Sequence, residues 1–430
     1  MRNGDTFFDC LPEDWRVAKI GTAFDIKQGK SLSSRKQTGK YLKPFLRTSN
    51  VFWGRLDLSQ LGEMDFTDDE CKTLTLEYGD LLVCEGGDIG RTAIWKNEKS
   101  GCYYQNHLHR LRVKDEKIDT LFIMYWMQVA FTQLGVYEGF ANKTTIPNLS
   151  SSRLREFIIP VPEKKEQRKI AAILYKIQKA IEIQESIIEK TRELKKSTLH
   201  HVFTHGLRGE KTKKTEIGPI PESWGICELD SVLKLAQYGL SVRGLSNGQY
   251  PILRMNCQID GQVHLNDLQY VNLDNDIFEK FKMDDGDILF NRTNSWELVG
   301  RTAIYHLKES AVFASYLIRL RLDEKEINPD YLNHFFNMDA TQNRLKSLAS
   351  RGVSQSNISA SKLKTFQVPV PAMAEQLEIV KILRAIDQKI ENHTAKKSAL
   401  QDLFKTMLNK LMTGEIRVKD LDIDVSEVSA

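Results

Sequence analysis

One segment decides the fold, residues 163–203: EKKEQRKIAAILYKIQKAIEIQESIIEKTRELKKSTLHHVF. It contains neither Gly nor Pro, and its apolar residues recur at heptad positions a, d and e, with Gln184, Thr191 and Thr198 as polar members of the a series. A stripe of this length is typical of a long helix that packs against another helix. The stripe consists of Ile170, Ile173, Leu174, Ile177, Ala180, Ile181, Ile187, Ile188, Leu194 and Val202.

A second stripe follows near the end of the chain, and its a series includes His393. Gly206 and Gly414 stand where helix C-terminal caps belong. Each helix of about 40 residues would measure about 60 Å. We predict that the two helices pair as an antiparallel coiled coil; the alternative is that each packs only on its own domain. The second stripe consists of Ile379, Ile382, Leu383, Ile386, Ile390, Leu400, Leu403, Phe404, Met407 and Leu411.

The two stripes belong to a tandem repeat with a period near 209 residues. Fixed anchors with small insertions between them indicate one scaffold, used twice, with different surface loops. The divergent stretches are 47–70 against 254–278, 85–89 against 291–299, and 140–146 against 349–355. The matching anchors are Pro12-Glu-x-Trp15 with Pro221-Glu-x-Trp224, Gly79-Asp80 with Gly286-Asp287, Gly90-Arg-Thr-Ala-Ile94 with Gly300-Arg-Thr-Ala-Ile304, Arg110-x-Arg112 with Arg319-x-Arg321, Asn148-x-Ser150 with Asn357-x-Ser359, and Glu166-Gln167 with Glu375-Gln376.

Each repeat begins with an α+β domain. Strand-length apolar runs follow Gly79-Asp80 and Gly286-Asp287, and 107–113 alternates as a half-buried strand does. Residues 119–134 and 329–348 are apolar enough for a matching pair of packed helices. The predicted fold is therefore α+β with pseudo-twofold symmetry. Its predicted parts are a first recognition domain (1–162), a helical spacer (163–215), a second recognition domain (216–371), a second helical spacer (372–414) and an acidic tail (415–430).

Composition excludes several classes of protein. The net charge of +4 is too small to indicate a partner, and the six cysteines form neither a CxxC pair nor a zinc-like cluster with histidines. No apolar run reaches the roughly 18 residues that span a bilayer, and the N-terminus has no signal-peptide core. We therefore expect a cytoplasmic protein that binds neither metal nor membrane.

Catalytic motifs are absent from the sequence. There is no Walker A loop, no nucleophile elbow and no methyltransferase cofactor loop with an Asn-Pro-Pro-aromatic motif. Asp80 and Glu85 could belong to a nuclease, but Asp80 and Asp287 each follow a Gly, where Asp is a common turn former. The anchors that the two repeats share therefore indicate a structural scaffold, and the loops that differ between the repeats indicate recognition.

The anchors, in this order and duplicated over residues 12–417, resemble the specificity subunits of type I restriction–modification systems. The resemblance implies two target-recognition domains that each read one half of a bipartite, asymmetric site in double-stranded DNA. It also implies a helical spacer that docks two modification (methyltransferase) subunits, through which restriction/motor subunits join. S-adenosylmethionine, ATP and Mg²⁺ would belong to those partners, and this chain would hold no cofactor. The residues expected to form the coiled coil and docking region are Ile170, Leu174, Ile177, Ile181, Ile379, Leu383, Ile386 and Ile390.

Base edges are read by short polar and basic side chains, which are concentrated in the divergent loops. Any single member could instead contact phosphate or remain solvated. The candidates in the first repeat are Arg47, Thr48, Asn50, Gln105, Asn106, His107, Asn142, Lys143, Thr144 and Thr145. Those in the second are Arg254, Asn256, Asn291, Arg292, Thr293, Asn294, Arg351, Ser354 and Gln355.

Several shared residues favour a structural role. Trp15 and Trp224 are expected to be core anchors rather than stacking platforms, and the Arg110-x-Arg112 and Arg319-x-Arg321 pairs to brace the fold rather than bind phosphate. The basic stretch 190–214 fits a solvated face or a contact with the DNA backbone equally well.

Two other classes of function remain open on sequence alone. One is an enzyme with an unrecognised nuclease or methyltransferase activity, which a methylation assay on the isolated chain would reveal. The other is a coiled-coil assembly scaffold, which would give the divergent polar loops no purpose.

Overall fold

The computed structural model describes residues 5–31, 42–137, 148–351 and 355–428. The chain forms two units, one made of Met1–Glu185 with Ala395–Ala430 (unit 1) and the other of Ser186–Thr394 (unit 2). The two long helices are Lys164–His205 and Met373–Met412, as the stripes predict. Each long helix therefore contributes one half to each unit.

Unit 1 is an α+β domain whose central sheet is antiparallel, in the order β2-β10-β7-β8, beside a mixed sheet β6-β3-β9. Its strands are β1 (Arg16–Lys19), β2 (Phe24–Gln28), β3 (Leu42–Leu46), β4 (Val51–Phe52), β5 (Arg55–Leu56), β6 (Gly62–Asp65), β7 (Leu81–Cys84), β8 (Thr92–Ile94), β9 (Tyr103–Tyr104), β10 (Leu108–Val113) and β11 (Ile158–Val161). Its helices are α1 (Asp5–Phe8), α2 (Ile20–Ala23), α3 (Asp68–Thr73), α4 (Thr120–Val129), α5 (Ser151–Arg155) and the first half of α6 (Lys164–His205).

Unit 2 repeats this plan with a six-stranded sheet, β15-β24-β20-β22-β18-β17, and a mixed sheet β19-β16-β23. Its strands are β12 (Thr212–Thr215), β13 (Gly218–Pro221), β14 (Gly225–Glu228), β15 (Leu233–Tyr238), β16 (Tyr250–Leu253), β17 (Gln258–Ile259), β18 (Gln262–Val263), β19 (Gln269–Val271), β20 (Ile288–Asn291), β21 (Thr293–Asn294), β22 (Thr302–Ile304), β23 (Val312–Phe313), β24 (Leu317–Leu322), β25 (Ser350–Arg351), β26 (Ser356–Asn357) and β27 (Gln367–Val370). Its helices are α7 (Asn275–Phe281), α8 (Pro329–Phe336), α9 (Asp339–Ser347), α10 (Ala360–Lys364) and the first half of α11 (Met373–Met412).

The central sheet of unit 1 is covered on both faces. Alternate residues of β7 join different cores: Leu81 and Val83 pack with the helices, and Leu82 packs with the mixed sheet. The sequence predicts that 107–113 is half-buried, and this is wrong, because Leu108 to Leu111 are all buried in the middle of the sheet.

The predicted packed helices differ from the observed ones at their ends. Within 119–134, α4 ends at Val129 and a single π-helical turn, Ala130–Leu134, continues it. The predicted helix over 329–348 is two helices, because α8 ends at Phe336 and a new N-terminus forms at Asp339. The prediction of one helix there is therefore wrong.

The long helices run antiparallel inside each unit. In unit 1, Glu185 Oε1 lies 2.9 Å from Lys397 Nζ, and Leu174 shares a core with Leu408 and Leu411. In unit 2, Lys195 Nζ lies 2.5 Å from Asp387 Oδ1. Early residues of α6 thus meet late residues of α11 in unit 1, and late residues of α6 meet early residues of α11 in unit 2, which confirms the predicted antiparallel pairing.

The helical stripes are only partly buried. Ile170, Leu174, Ile379 and Leu383 lie in the cores, whereas Ile177, Ile181, Ile386 and Ile390 are half-buried. Three residues of the predicted stripes are exposed: Leu194 (52%), Leu403 (46%) and Ile382 (39%). For those three positions the heptad prediction of burial is wrong. Ile170, Leu174, Ile379 and Leu383 cannot offer a docking surface, because they are already buried in the cores.

The Pro-Glu-x-Trp and Glu-Gln anchors meet in the folded chain. Trp15 Nε1 donates to Glu166 Oε2 at 3.3 Å, and Trp224 Nε1 donates to Glu375 Oε2 at 3.2 Å. Both indoles are buried, so the prediction that they are core anchors is confirmed. The two motifs join the start of each recognition domain to the start of the helix that follows it.

The glutamines of the Glu-Gln anchors act as backbone braces. The amide nitrogen of Gln167 donates to the carbonyls of Lys117 and Pro162, and its oxygen accepts from the Asp119 amide. Gln376 repeats all three contacts in unit 2 with Glu326, Pro371 and Asn328. A buried amide that satisfies three backbone groups is costly to replace, which accounts for its presence in both repeats.

The segment after Gly414 is not a free acidic tail. Arg417 makes two hydrogen bonds to Glu166 and two to Asp14, all between 2.7 and 2.9 Å, and lowers the pKa of Asp14 to about 2. Val418 is buried. Lys169 Nζ donates to the carbonyls of Lys419 and Leu421. Residues 415–428 therefore form a strap that holds the start of α6, which the composition did not predict.

His334 makes unit 2 sensitive to acid. Burial, with a smaller effect of Lys195, lowers its pKa from 6.5 to about 3, so it stays neutral in the folded protein and gains a proton on unfolding. The stability that depends on neutral His334 is therefore present above pH 6.5 and is lost as the pH falls toward 3. Between pH 7 and pH 5 we expect a loss of about 2 kcal/mol.

The measurement is urea unfolding of the wild type and of His334→Gln at pH 5, 6 and 7. Asp285 and Asp330 raise the pKa of the nearby His306, which changes stability in the opposite direction, so only the difference between the two proteins is diagnostic. An identical pH dependence in both proteins would contradict the assignment.

Candidate nucleic-acid interface

In unit 1 the described candidates Asn106 and His107 meet Gln28 and Glu85 at one end of the central sheet. Gln28 ends β2, Glu85 follows β7, and Asn106 with His107 precede β10. The Gln28 amide donates to Glu85 Oε2 at 2.8 Å and to the Asn106 carbonyl at 2.9 Å. We call Gln28, Glu85, Asn106 and His107 the first loop cluster.

Loop 47–50 lies beside the same strand end, because Arg91 Nη2 donates to the Thr48 carbonyl at 3.2 Å. The guanidinium groups of Arg55 and Arg91 both lie over the Phe52 ring, at 5.1 and 5.3 Å. Aromatic contact holds basic groups in place without neutralising their charge. Arg91 also pairs with Asp88 at 3.1 Å, so its charge is compensated within unit 1.

In unit 2 the equivalent strand ends bring together a different set. The guanidinium of Arg292 lies 4.7 Å from the Tyr238 ring centre, and Nη1 donates to the Ser315 carbonyl at 3.3 Å. Nη2 of Arg292 reaches Asn357 Oδ1 at 3.4 Å. Tyr238 and Tyr316 are 42% and 49% exposed. We call Tyr238, Arg292, Ser315, Tyr316 and Asn357 the second loop cluster.

Of the other second-repeat candidates, Thr293 contacts this cluster directly, and Asn294 contacts the loop that carries Arg254 and Asn256. The Asn357 amide donates to Thr293 Oγ1 at 2.9 Å, and the Asn294 amide reaches Met255 Sδ at 3.2 Å. Arg254 and Asn256 both contact the Asp267 carboxylate. A partner that binds this loop would have to displace or accommodate that carboxylate.

The candidates differ in accessibility. Arg47, His107, Asn256 and Gln355 are exposed, and Thr48, Asn106, Arg254, Arg292, Thr293 and Asn294 are half-buried. Asn50, Gln105 and Asn291 are buried. Asn142, Lys143, Thr144, Thr145 and Ser354 lie outside the described residues, and for Arg351 the structure gives only a place in β25.

The burial of Asn50 favours a structural role. Its oxygen accepts from the Arg47 amide at 2.8 Å, and its amide donates to the carbonyls of Asp57 and Gln60 at 2.9 and 3.0 Å. At least one of the two lone pairs on its oxygen and at least one of its two N–H groups are thus used within the loop. Asn50 shapes the loop that presents Arg47 and Thr48.

The Arg-x-Arg strands brace the fold, as the sequence predicts. Arg112 donates to both oxygens of Asp80 at 2.8 and 2.7 Å, and Arg321 donates to both oxygens of Asp287 at 2.8 Å. Each carboxylate raises the pKa of its arginine through these hydrogen bonds. Asp80 and Asp287 therefore have structural partners, which is consistent with their prediction as turn residues rather than nuclease ligands.

Part of the basic stretch 190–214 is also neutralised within unit 2. Arg192 pairs with Asp260 at 3.0 Å, and Lys196 pairs with Asp339 at 2.5 Å. Lys213 donates to two backbone carbonyls. These contacts favour a solvated or bracing role over a continuous track for DNA phosphates.

Residues of both loop clusters were missed by sequence reasoning. Gln28, Tyr238 and Tyr316 end or precede strands without a recognisable motif, and Glu85 was considered only as a nuclease acid. Alignment of the two repeats could have found Glu85, since the offset of 207 residues that relates Asp80 to Asp287 places it opposite Arg292.

Other kinds of site find no support in the part of the chain that the structure describes. It contains no group of three or more His, Cys, Asp or Glu side chains arranged to hold a metal ion. Burial raises the pKa of the Cys84 thiol, at the end of β7, to about 11, so this thiol is a poor nucleophile. Among the described helices, none combines the length and the apolar character needed to cross a membrane.

Two α+β domains on a shared plan, tied to long helices and ending in unlike polar clusters, define a tandem recognition protein. The family model described as the type I restriction modification DNA specificity domain matches residues 12–192 and again residues 221–402. The chain therefore belongs to the type I restriction–modification DNA specificity family, as the sequence resemblance predicts.

Individual relatives agree with this assignment. The type I restriction enzyme MjaVIII specificity subunit of Methanocaldococcus jannaschii is 25% identical over 96% of this chain and 95% of its own length. The MjaX specificity subunit of the same organism is 35% identical, but that alignment covers 47% of this chain and 49% of the relative. The crystal structure of the type I restriction–modification S subunit from M. genitalium has a TM-score of 0.58 at 20% identity and covers 93% of this chain and 96% of that one, which shows a common fold.

Proposed function

We propose that this specificity protein reads a bipartite, asymmetric site in double-stranded DNA, with unit 1 and unit 2 each recognising one half. The observation that carries the proposal is the contrast between the repeats. The contacts of Trp15, Gln167 and Asp80 in unit 1 recur between the same kinds of atom at Trp224, Gln376 and Asp287 in unit 2. The two loop clusters, in contrast, differ in charge and shape. A scaffold retained twice with unlike polar ends is what two different half-sites require.

We further propose that the chain is not itself an enzyme. Methyl transfer, ATP-driven movement and cleavage would be performed by modification and restriction subunits, which would hold S-adenosylmethionine, ATP and Mg²⁺. Exposed apolar residues on the long helices would supply the docking surface for two modification subunits: Ile183, Leu194, Leu377, Ile382 and Leu403. The whole assembly would act on cytoplasmic DNA.

The direct test is to express the chain with the modification subunits of its own system and map methylated bases across the host genome. The proposal predicts methylation at one two-part sequence, and none when the chain is omitted or when it is incubated alone with S-adenosylmethionine. Methylation by the isolated chain would instead support an enzyme, and unchanged methylation without the chain would support a scaffold.

Loop substitutions should weaken recognition without unfolding the protein. Lys143→Ala and Arg351→Ala each remove a basic group from a divergent loop, and a lost base contact costs about 1–3 kcal/mol, or roughly 5- to 150-fold in discrimination. Duplex binding assays against matched and mismatched sites measure this effect, with unfolding temperature as the control. Full discrimination in both variants would remove these loops from the interface.

The helices are proposed to act as a ruler between the half-sites. Inserting seven residues at matching heptad positions of α6 and α11 keeps the stripe in phase and adds about 10 Å of helix, or about three base pairs of duplex. The mapped sites should then keep both half-sites but tolerate a longer spacer. An unchanged spacer length would rule out the ruler.

A further inference from the structure

Glu85 and Arg292 occupy the same backbone position in the two repeats. The amide of Glu85 donates to the His107 carbonyl, and that of Arg292 donates to the carbonyl of Tyr316, the repeat equivalent of His107. The carbonyls of Glu85 and Arg292 accept from Leu149 and Ile358, at 2.8 Å in both cases. The surrounding backbone is thus the same, although one side chain is an acid and the other a base.

The carboxylate of Glu85 lies just below the protein surface. Glu85 is 5% exposed, beneath the exposed amide of Gln28. The imidazole of His109 lies 3.9 Å away, and burial lowers its pKa, which keeps it uncharged. Among the described residues, the recorded partners of this carboxylate are therefore neutral groups. A nearly buried carboxylate held by neutral donors is energetically costly.

Arg292 is presented differently. Its guanidinium lies flat against an exposed tyrosine ring and reaches Ser315 and Asn357 only through hydrogen bonds of 3.3 and 3.4 Å. No carboxylate within the described residues is recorded as an ion-pair partner of Arg292, in contrast to Arg112 and Arg321. Stacking on the tyrosine ring fixes the plane of the guanidinium group and leaves its positive charge uncompensated.

The fold does not require either charge. Because the same backbone hydrogen bonds form around an acid in one repeat and a base in the other, the side chain at this position is free to serve recognition. Carboxylates accept from the exocyclic amino groups of bases, as at cytosine N4, whereas arginine donates two bonds to guanine O6 and N7. The two positions thus offer opposite hydrogen-bonding patterns to the major groove.

We propose that Glu85 and Arg292 are matched specificity determinants. Glu85 selects a base whose amino group faces the major groove, cytosine or adenine, in the half-site read by unit 1. Arg292 selects a guanine in the half-site read by unit 2. This inference rests on the proposed function and adds to it the base chemistry read at one position of each half-site.

The test is selection of bound sequences from a random duplex pool by the full chain assembled with its modification subunits. Glu85→Gln keeps the shape but exchanges one accepting oxygen for an amide nitrogen that donates, so the base preferred at one position of one half-site should change by roughly tenfold toward adenine, whose N6 and N7 a glutamine amide can contact. Arg292→Lys keeps the positive charge but removes the planar guanidinium that can donate two parallel hydrogen bonds. It should reduce the guanine preference in the other half-site to a similar extent. Lys72→Gln, whose side chain is 78% exposed on α3, is the matched control and should leave both half-sites unchanged.

Each outcome decides the question. The proposal is overturned when the wild type selects a two-part sequence and both variants select the same sequence with the same stringency. If Arg292→Lys lowers the affinity for all duplexes equally and leaves the base preference unchanged, Arg292 contacts a phosphate. That result would also overturn the proposal for Arg292. If Glu85→Gln lowers the unfolding temperature, the Arg292→Lys experiment in unit 2 decides alone. A wild type that selects no two-part sequence refutes the proposed function instead.

Discussion

Replacing Arg417 with Ala is expected to lower the free energy of unfolding of unit 1 by about 3 kcal/mol, because it leaves a buried carboxylate without its cation. The side chain of Glu166 is only 2% exposed and receives two hydrogen bonds from Arg417. After the substitution, the Trp15 indole and the Val418 amide would be its remaining recorded donors.

The repeat supplies a matched control. Arg208 lies two residues after Gly206, close to where Arg417 lies three residues after Gly414, and it is exposed. Its place against Glu375 is taken by the Leu207 amide, at 3.0 Å from the carboxylate. Arg208→Ala should therefore change the urea midpoint very little. Equal midpoints for the two variants would show that the strap does not stabilise unit 1.

Replacing Arg112 with Met should also destabilise unit 1 strongly, by about 3 kcal/mol, since Asp80 loses both charged hydrogen bonds while its side chain remains 2% exposed. Arg321→Met in unit 2 should cost less. Arg319 Nη1 already lies 3.8 Å from Asp287 and remains as a cation after the substitution, whereas Arg110 is paired with Asp25.

The measurement is a pair of urea unfolding curves, with Arg112→Lys and Arg321→Lys as controls that keep the charge but lose the two-pronged contact. We expect the order of stability to be wild type, then Arg321→Met, then Arg112→Met. Equal losses, or a larger loss for Arg321→Met, would show that Arg319 does not compensate for the missing guanidinium.

The sequence was sufficient for the parts of the fold that depend on local pattern. Helical periodicity without Gly or Pro predicts α6 and α11 to within a few residues, because a long apolar stripe has one stable conformation. The repeat predicted which anchors are structural, and the paired contacts of Trp15 and Trp224 confirm this for both copies. These features need no knowledge of which distant segments meet.

Long-range features could not be predicted in the same way. The burial of β10 on both faces depends on a second sheet, of which β3 and β6 lie far from β10 in the sequence, and an alternating pattern cannot reveal that cover. The contact of Arg417 with Glu166 joins residues separated by 251 positions. The composition indicated an acidic tail, and composition does not show that one arginine has a buried carboxylate to contact.

The candidate interface was predicted as named polar and basic residues in the divergent loops, chosen by composition alone. Polar composition indicated which loops are candidates, but it could not separate an exposed side chain such as His107 from a buried one such as Asn50. Glu85 was overlooked because an acid is not expected at a surface that meets phosphates. The repeat offset already places Glu85 opposite Arg292, and the folded chain adds that the same backbone hydrogen bonds surround both residues.

Selection from a random duplex pool by the full chain with its modification subunits tests the central claim most directly. Two short elements of different sequence, held at one fixed separation by bases without preference, are the expected product. A single uninterrupted element, a palindrome, or a pool that stays random after repeated rounds would contradict the account.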